Sequence, residues 1–336
     1  MCVDALRKDD WDAAQIEIMR LQAQKKILYY QPYAPKDENP RKRPFVVVIQ
    51  DEFMRNSAKR FSGNNSWALD STFKTNQYGL PLYAAIVPNQ DGIGIPVFYM
   101  LCSNDVKQGH EGIAIEIALT HVFESLGEIR PSAIVIDKHK TSLNAIQNVV
   151  QNDVLCWTYE DGAKVQIGAR VLLCHFHVMK AWSENLLTSI PNEDKDRVWR
   201  ALHVLMLCPN ESHFDENLRN FCVEFQHIPR FAIYINSGWA GINVPWRRLW
   251  PRFGRLFAYG GMDTTNHVER HWELIKYTLL QGKVNRSLRD LIVAIVGSAK
   301  DGTHVVQPTL LSQFKMTQRL SKFHLFLFFS LIISSF

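Results

Sequence analysis

Three carboxylates in this chain stand where a side chain can be held rigidly. Asp70 follows the short apolar run Trp67, Ala68, Leu69, Asp137 ends the run "AIVID", and Glu269 lies in the first half of a late amphipathic stretch. If the strands at 67–70 and 132–137 are neighbours, their C-terminal ends bring the two aspartates together, and a helix packed on that edge adds the glutamate. Three acids in one place suit two divalent ions roughly 3.5–4 Å apart, because Mg²⁺ prefers hard oxygen ligands. Such a pair polarises a phosphodiester, one ion activating water or a 3′-hydroxyl and the other stabilising the leaving oxygen. Each acid also has a plainer reading. An Asp at a strand end is commonly a turn or cap residue, and Asp137 could cap a helix starting near Thr141. Glu269 in a first turn suits the helix dipole, and Glu273 one turn on is equivalent by geometry alone.

The elements around these acids follow from the apolar pattern. Residues 10–30 carry Ile16, Met19, Ala23 and Ile27 at helical spacing, and the Pro-rich, charged stretch 31–44 reads as a linker. "PFVVVIQ" is strand-like, and "SWALDSTF", "LYAAIVP" and "IPVFYMLC" are three short runs separated by Gly- and Asn-containing turns, an antiparallel meander. A helix over 111–127 has an apolar face of Ile115, Ala118, Leu119, Val122 and Leu126. The strand "SAIVID", a helical "TSLNAIQNVV" and the strand "ARVLLCHFH" follow, running into "VMKAWSENLL". This order gives an α/β protein with a mixed sheet. From about 180 to 257 the pattern is helical and dense in Trp and Arg. The stretch 263–282 then opens as a helix with Thr264 or Thr265 as N-cap, Val268, Trp272, Ile275 and Leu279 on one face, and Gly282 as a stop.

The 336 residues are 46% hydrophobic and 21% charged, which describes a packed globular protein, and the net charge of +5 permits a nucleic-acid partner without demanding one. The six cysteines, Cys2, Cys102, Cys156, Cys174, Cys208 and Cys222, are scattered with no CxxC pair, and the first residues lack an apolar signal-peptide core. They read as reduced thiols of an intracellular protein. The last fourteen residues, "FHLFLFFSLIISSF", are almost wholly apolar but shorter than the roughly 20 needed to span a bilayer, so a membrane role is not expected. That tail reads as an end not native to the domain, with a tail anchor or a final packed helix or strand as the alternatives.

Four blocks, in order, resemble the Mutator-like element (MULE) transposase domain, a DDE transposase with an RNase H-like core. "LDSTFKTNQYGLPLYAAIVPNQDGIGIPVFYML" resembles its first acid block and "PSAIVIDKHKTSLNAI" its second. "VLLCHFHVMKAW" resembles its Cys-x-x-His block, here Cys174 and His177, and "TTNHVERHWELIKYTLL" its third acid block, which selects Glu269 over Glu273. The resemblance covers roughly 45–298, with 67 residues between the aspartates and 132 from Asp137 to Glu269. It departs at Arg270, where many relatives have Ser, and at His267, where Asn is common. The flanking zinc modules frequent in the family are not visible before 45 or after 298, which bears on recognition of transposon ends more than on phosphoryl chemistry.

The resemblance implies an RNase H-like mixed five-stranded sheet flanked by helices and interrupted by an all-helical insertion. The expected organisation is an N-terminal helix and linker (1–44), a first core part (45–179), the insertion (180–257), final core helices (258–298) and a tail (299–336). Asp70, Asp137 and Glu269 are then the catalytic residues and ligands of two Mg²⁺ or Mn²⁺ ions. Cys174 and His177 read as structural, because two ligands do not make a zinc site and His175, on a strand, points the other way. Arg247, Arg248, Arg252 and Arg255, interleaved with Trp246, Trp250, Phe253 and Phe257, offer phosphate contacts and stacking faces, or else an ordinary core with a solvated arginine face. The implied function is metal-dependent cleavage and strand transfer at transposon ends. Its partners are terminal-repeat and target DNA, with room for a homodimer and no small-molecule substrate, and its place is the nucleus. A transposase-derived DNA-binding protein without catalysis, or the inactive remnant of a decayed element, is the alternative.

Overall fold

The computed structural model of the protein describes residues 3–32, 43–284 and 286–298. Its centre is a seven-stranded mixed sheet in the order β1-β2-β5-β4-β3-β6-β9. The strands are β1 (Ile27–Gln31), β2 (Val46–Ile49), β3 (Ser66–Thr72), β4 (Leu82–Pro88), β5 (Gly94–Cys102), β6 (Ala133–Ile136) and β9 (Arg170–Leu173). From β1 to β3 every neighbour is antiparallel, whereas β3, β6 and β9 run parallel. All four residues of β2 and all four of β6 are buried, as expected of strands covered on both faces.

Two layers of helices cover the sheet. On one face, Trp67 and Leu69 of β3 and Ile134 and Ile136 of β6 join a core with α3 (His110–Leu126), α4 (Lys140–Asn152) and the helices after β9. On the other, Ala68 and Val135 pack with α1 (Val3–Ala23), α9 (Asn266–Glu273) and α10 (Leu288–Ser298). Burial by alternate residues is the period-2 pattern of a strand sandwiched between two cores. Helix α3 buries Ile115, Ala118, Leu119, Val122 and Leu126, the face expected from its spacing. Helix α2 (Glu52–Phe61) is capped by Asp51, whose carboxylate accepts from Met54 N at 2.9 Å.

Three readings of the sequence change. The sheet has seven strands rather than five, because β2 pairs with β5 and β1 adds outside β2. The stretch 10–30 is not one helix: α1 ends at Ala23, Lys25 turns the chain with φ of 58°, and Ile27–Gln31 extends. Its β-branched and aromatic residues take the strand form because a sheet edge is there to pair with. The buried side of α1 is Ala14, Ile18 and Leu21, while Ile16 and Met19 are 70% and 56% exposed. Finally, β9 ends at Leu173, and His175 begins a helix rather than continuing a strand. The hairpin of β7 (Trp157–Glu160) and β8 (Ala163–Gln166) was not expected, although Asp161-Gly162, both at positive φ, is a strong two-residue hairpin signal.

Between β9 and α9 lie α5 (His175–Ser189), α6 (Asn192–Leu207), α7 (Glu211–Glu224) and α8 (Pro229–Ile235), then an irregular return. Trp182 meets Trp239 and Trp250 edge-on, and the indole N–H of Trp250 donates to Trp239 O at 3.1 Å. Among the described residues no helix is long and apolar enough to cross a membrane. The apolar tail and most of the 31–44 linker lie outside the described residues.

Candidate metal centre at the parallel strand ends

The register of the parallel strands sets the site. Ala68 faces Val135 and Ile136 faces Leu173. Carried on to the strand ends, the same register sets Asp70 beside Asp137 and Asp137 beside Cys174. Adjacent strands lie about 4.8 Å apart, so the three side chains form one short row. They share the parity of Ala68, Val135 and Leu172, whose side chains pack in the layer of α9. Helix α9 crosses β3, β4 and β5 on that face, with Glu269 in its first turn. Its close approach depends on Gly94 of β5, where a Cβ would come within 2.7 Å of Ile86 Cγ2 and 3.2 Å of His267 Cβ.

Helix α9 touches the row directly. The indole N–H of Trp272 donates to Asp70 Oδ2 at 3.1 Å, one turn along from Glu269. His177, in the first turn of α5, stands among the acids. Its Nδ1 is 2.7 Å from Asp137 Oδ1 and its Nε2 is 3.7 Å from Glu269 Oε1. The buried Thr265 at the N-terminus of α9 does not cap its own helix by side chain. Its backbone N–H and its hydroxyl both reach Cys174 Sγ at 3.3 Å, and the hydroxyl also lies 3.3 Å from Glu269 Oε1. Glu269 therefore faces the row, whereas Glu273 is exposed on the helix surface.

Electrostatically the row holds more negative charge than its surroundings balance. Burial, followed by the charge of Asp137, pushes the Asp70 carboxyl up to about 6, although the Ser71 and Trp272 N–H groups pull it down. Burial alone would lower His177, but its contacts with Asp137 and Cys174 outweigh that and raise it to about 10. The imidazolium is thus the cation that the acids share. Even so, Asp137 Oδ1 is buried and accepts no well-aligned hydrogen bond. The sequence reads His177 as structural and does not single out Trp272 as a partner of Asp70. No local pattern announces either, because both act across elements far apart in the chain.

The arginine-rich segment is arranged differently. Arg247 is buried, donating to Ala240 O at 2.6 Å and pairing with Asp215 and Glu211. Arg255 is also buried; it donates to Asp263 at 2.9 Å and to the Leu249 and Leu173 carbonyls. Arg247 ties segments of the insertion to one another and Arg255 joins its return to the end of β9, so neither is a surface group. Trp246 and Trp250 are core residues. Arg248 is exposed beside Glu211, and Arg252 is exposed with no ion-pair partner among the described residues. His175 acts as a further strut, its Nε2 lying 2.8 Å from Trp250 O.

Residues 66–181 match the family model of the MULE transposase domain. The match supports the resemblance carried by the sequence blocks and indicates a transposase-related function. It spans β3 through the start of α5, and so includes Asp70, Asp137, Cys174 and His177, while Glu269 lies beyond it. The search of curated proteins returned no match.

Proposed function

We propose that this protein is a DNA transposase catalytic domain that breaks phosphodiester bonds at transposon ends and joins the freed 3′-hydroxyl to target DNA. The observation that carries the reading is the convergence of Asp70 and Asp137, level with each other on parallel strands, under a helix that presents Glu269. The RNase H-like reading is supported by the contiguous set β5-β4-β3-β6-β9, three strands antiparallel and then parallel partners, with β2 and β1 as additions at one edge.

The donor set fits hard divalent cations. Three carboxylates supply only oxygen ligands, and burial together with the charge of Asp137 makes Asp70 costly to ionise without a cation beside it. Asp70, Asp137 and Glu269 would hold Mg²⁺ or Mn²⁺. When bound, the ions supply Lewis-acid activation of the attacking hydroxyl and charge stabilisation of the leaving oxygen. The chain's own residues do the rest. Trp272 fixes the Asp70 carboxylate, Thr265 orients Glu269, and the sheet register fixes the spacing of the aspartates. The DNA strand would approach from the strand ends, with Arg248 and Arg252 on the exposed side of the insertion as phosphate contacts. A nuclear location follows from that substrate.

The test is Asp137→Asn, which keeps the side chain's shape and removes its charge. Mg²⁺- or Mn²⁺-dependent nicking of terminal-repeat DNA should vanish while the melting temperature without metal stays within a few degrees of the parent. Mn²⁺ should raise the melting temperature of the parent and not of the variant, since an ion that binds only the folded state stabilises it. Nicking at the parental rate by the variant overturns the reading. DNA binding that ignores chelation, with no cleavage under any divalent ion, makes the protein a binder.

A further inference from the structure

The row at the strand ends continues past the acids into softer ligands. Asp137, Cys174 and His177 each offer one ligand atom, and these atoms all lie within 4.8 Å of one another. Carboxylate oxygen, thiolate sulfur and imidazole nitrogen do not make a Mg²⁺ site; together they suit a borderline ion such as Zn²⁺, with ligands about 2.0–2.3 Å from the metal. We propose that Asp137, Cys174 and His177 form a zinc site with one open position, which competes for Asp137 with the hard-ion set of Asp70 and Glu269.

Three observations beyond the cluster support it. Cys174 is buried at the junction of β9 and α5, and its backbone N–H donates to Ile136 O at 2.8 Å, so the sulfur is fixed relative to Asp137. Two donors from Thr265, the backbone N–H and the hydroxyl, already converge on that sulfur at 3.3 Å, the outer-shell support a metal-bound thiolate receives. The Asp137 oxygen in the cluster is buried and faces His177 Nδ1 at 2.7 Å, so an ion would take the place of the proton between them. Binding replaces protons with the ion: the thiol and the imidazolium each release one as Zn²⁺ takes Sγ and the ring nitrogen. The fourth position faces the acid row and takes water. With Asp137 held by zinc, the carboxylate row loses its central member, so zinc occupancy and hard-ion chemistry exclude each other. Cys174 and His177 alone are two ligands, too few for a zinc site; Asp137, from another strand, makes three.

The experiment uses the full chain, stripped of metal and titrated with Co²⁺ as a spectroscopic substitute and then with Zn²⁺. One equivalent of Co²⁺ should produce a thiolate-to-metal charge-transfer band together with visible tetrahedral bands, and Zn²⁺ should bleach both. Cys174→Ser should remove the charge-transfer band, His177→Ala should abolish stoichiometric binding, and Thr265→Val should weaken binding by about 10-fold through the lost outer-shell hydroxyl. Asp70→Asn should leave the cobalt spectrum intact, which separates this site from the hard-ion site whether or not the protein cleaves DNA. Where Cys174→Ser does not fold, Cys174→Ala keeps a small buried side chain and serves instead. A cobalt complex without a sulfur band, or parental zinc affinity in a folded Cys174 variant, overturns the proposal.

Discussion

The end of the parallel strands and the arginine-aromatic segment of the insertion both set charged residues among apolar ones, yet they differ in how those charges are met. In the insertion, the buried cations are matched: Arg247 by Asp215, Glu211 and a carbonyl, Arg255 by Asp263 and two carbonyls. At the strand ends the anions are not. Two aspartates stand side by side with a glutamate above, one carboxyl is pushed up to about 6, and a single imidazole serves two acids. Matched buried charge holds a structure together, whereas unmatched charge is held by the structure at a cost in stability and is free to take a ligand.

The largest effect should come from breaking the unmatched region. Under the proposed function, Glu269→Gln should lower metal-dependent nicking by roughly a hundredfold or more, since each of the three carboxylates would then help to hold ions that supply several kcal/mol of transition-state stabilisation. Glu273→Gln, on the exposed side of the same helix, should leave nicking within about twofold. Parallel assays of the two variants check this; equal losses would mean that α9 sits in another rotation when DNA is bound.

Breaking the matched region should act on stability instead. Arg255→Ala removes a side chain that is 2% exposed and takes its donors from the Leu173 carbonyl and from Leu249 O, which keeps the Leu173 N–H. Loss of about 3 kcal/mol in chemical denaturation is expected, as for other broken buried pairs, partly offset because Asp263 is 43% exposed and can turn to water. Trp272→Phe lies between the two regimes. It keeps the packing of α9 and deletes one hydrogen bond to Asp70, so about 1 kcal/mol should be lost. If Trp272 positions Asp70, nicking should fall in the same variant and recover in part at higher Mn²⁺, which simple loss of stability would not allow.

The same contrast explains what the sequence could show. A carboxylate straight after a buried run is visible at Asp70 and Asp137 because strand ends are marked by the apolar pattern itself. Their parallel neighbourhood is not, because register comes from pairing across the sheet rather than from either segment alone. Glu269 and Glu273 are one turn apart and alike in helical geometry; the resemblance to the third acid block favours Glu269, and the placement of α9 over β3 is the physical reason. Arginine is the hardest case, since its long stem suits a core edge as well as a surface, and the pattern of Arg247, Arg248, Arg252 and Arg255 reads the same either way. Strand β1 was missed for a related reason: Ile27 continues a helical spacing by coincidence, and the edge of β2 that turns it into a strand lies across the linker.

Arg252 gives the smallest expected effect and tests the contrast most sharply. It is exposed and meets no ion-pair partner among the described residues, so Arg252→Ala should change folding stability by less than about 0.5 kcal/mol. If it contacts a phosphate, DNA affinity should weaken equally across sequences, and the slope of log affinity against log salt should shrink by about one. Arg255→Ala should show the reverse: a large stability loss and, in the fraction that stays folded, an unchanged salt slope. An Arg252→Ala protein with the parental salt slope would mean that the insertion's exposed arginines are an ordinary solvated face. The DNA contact of the proposed function would then have to be sought on the sheet itself.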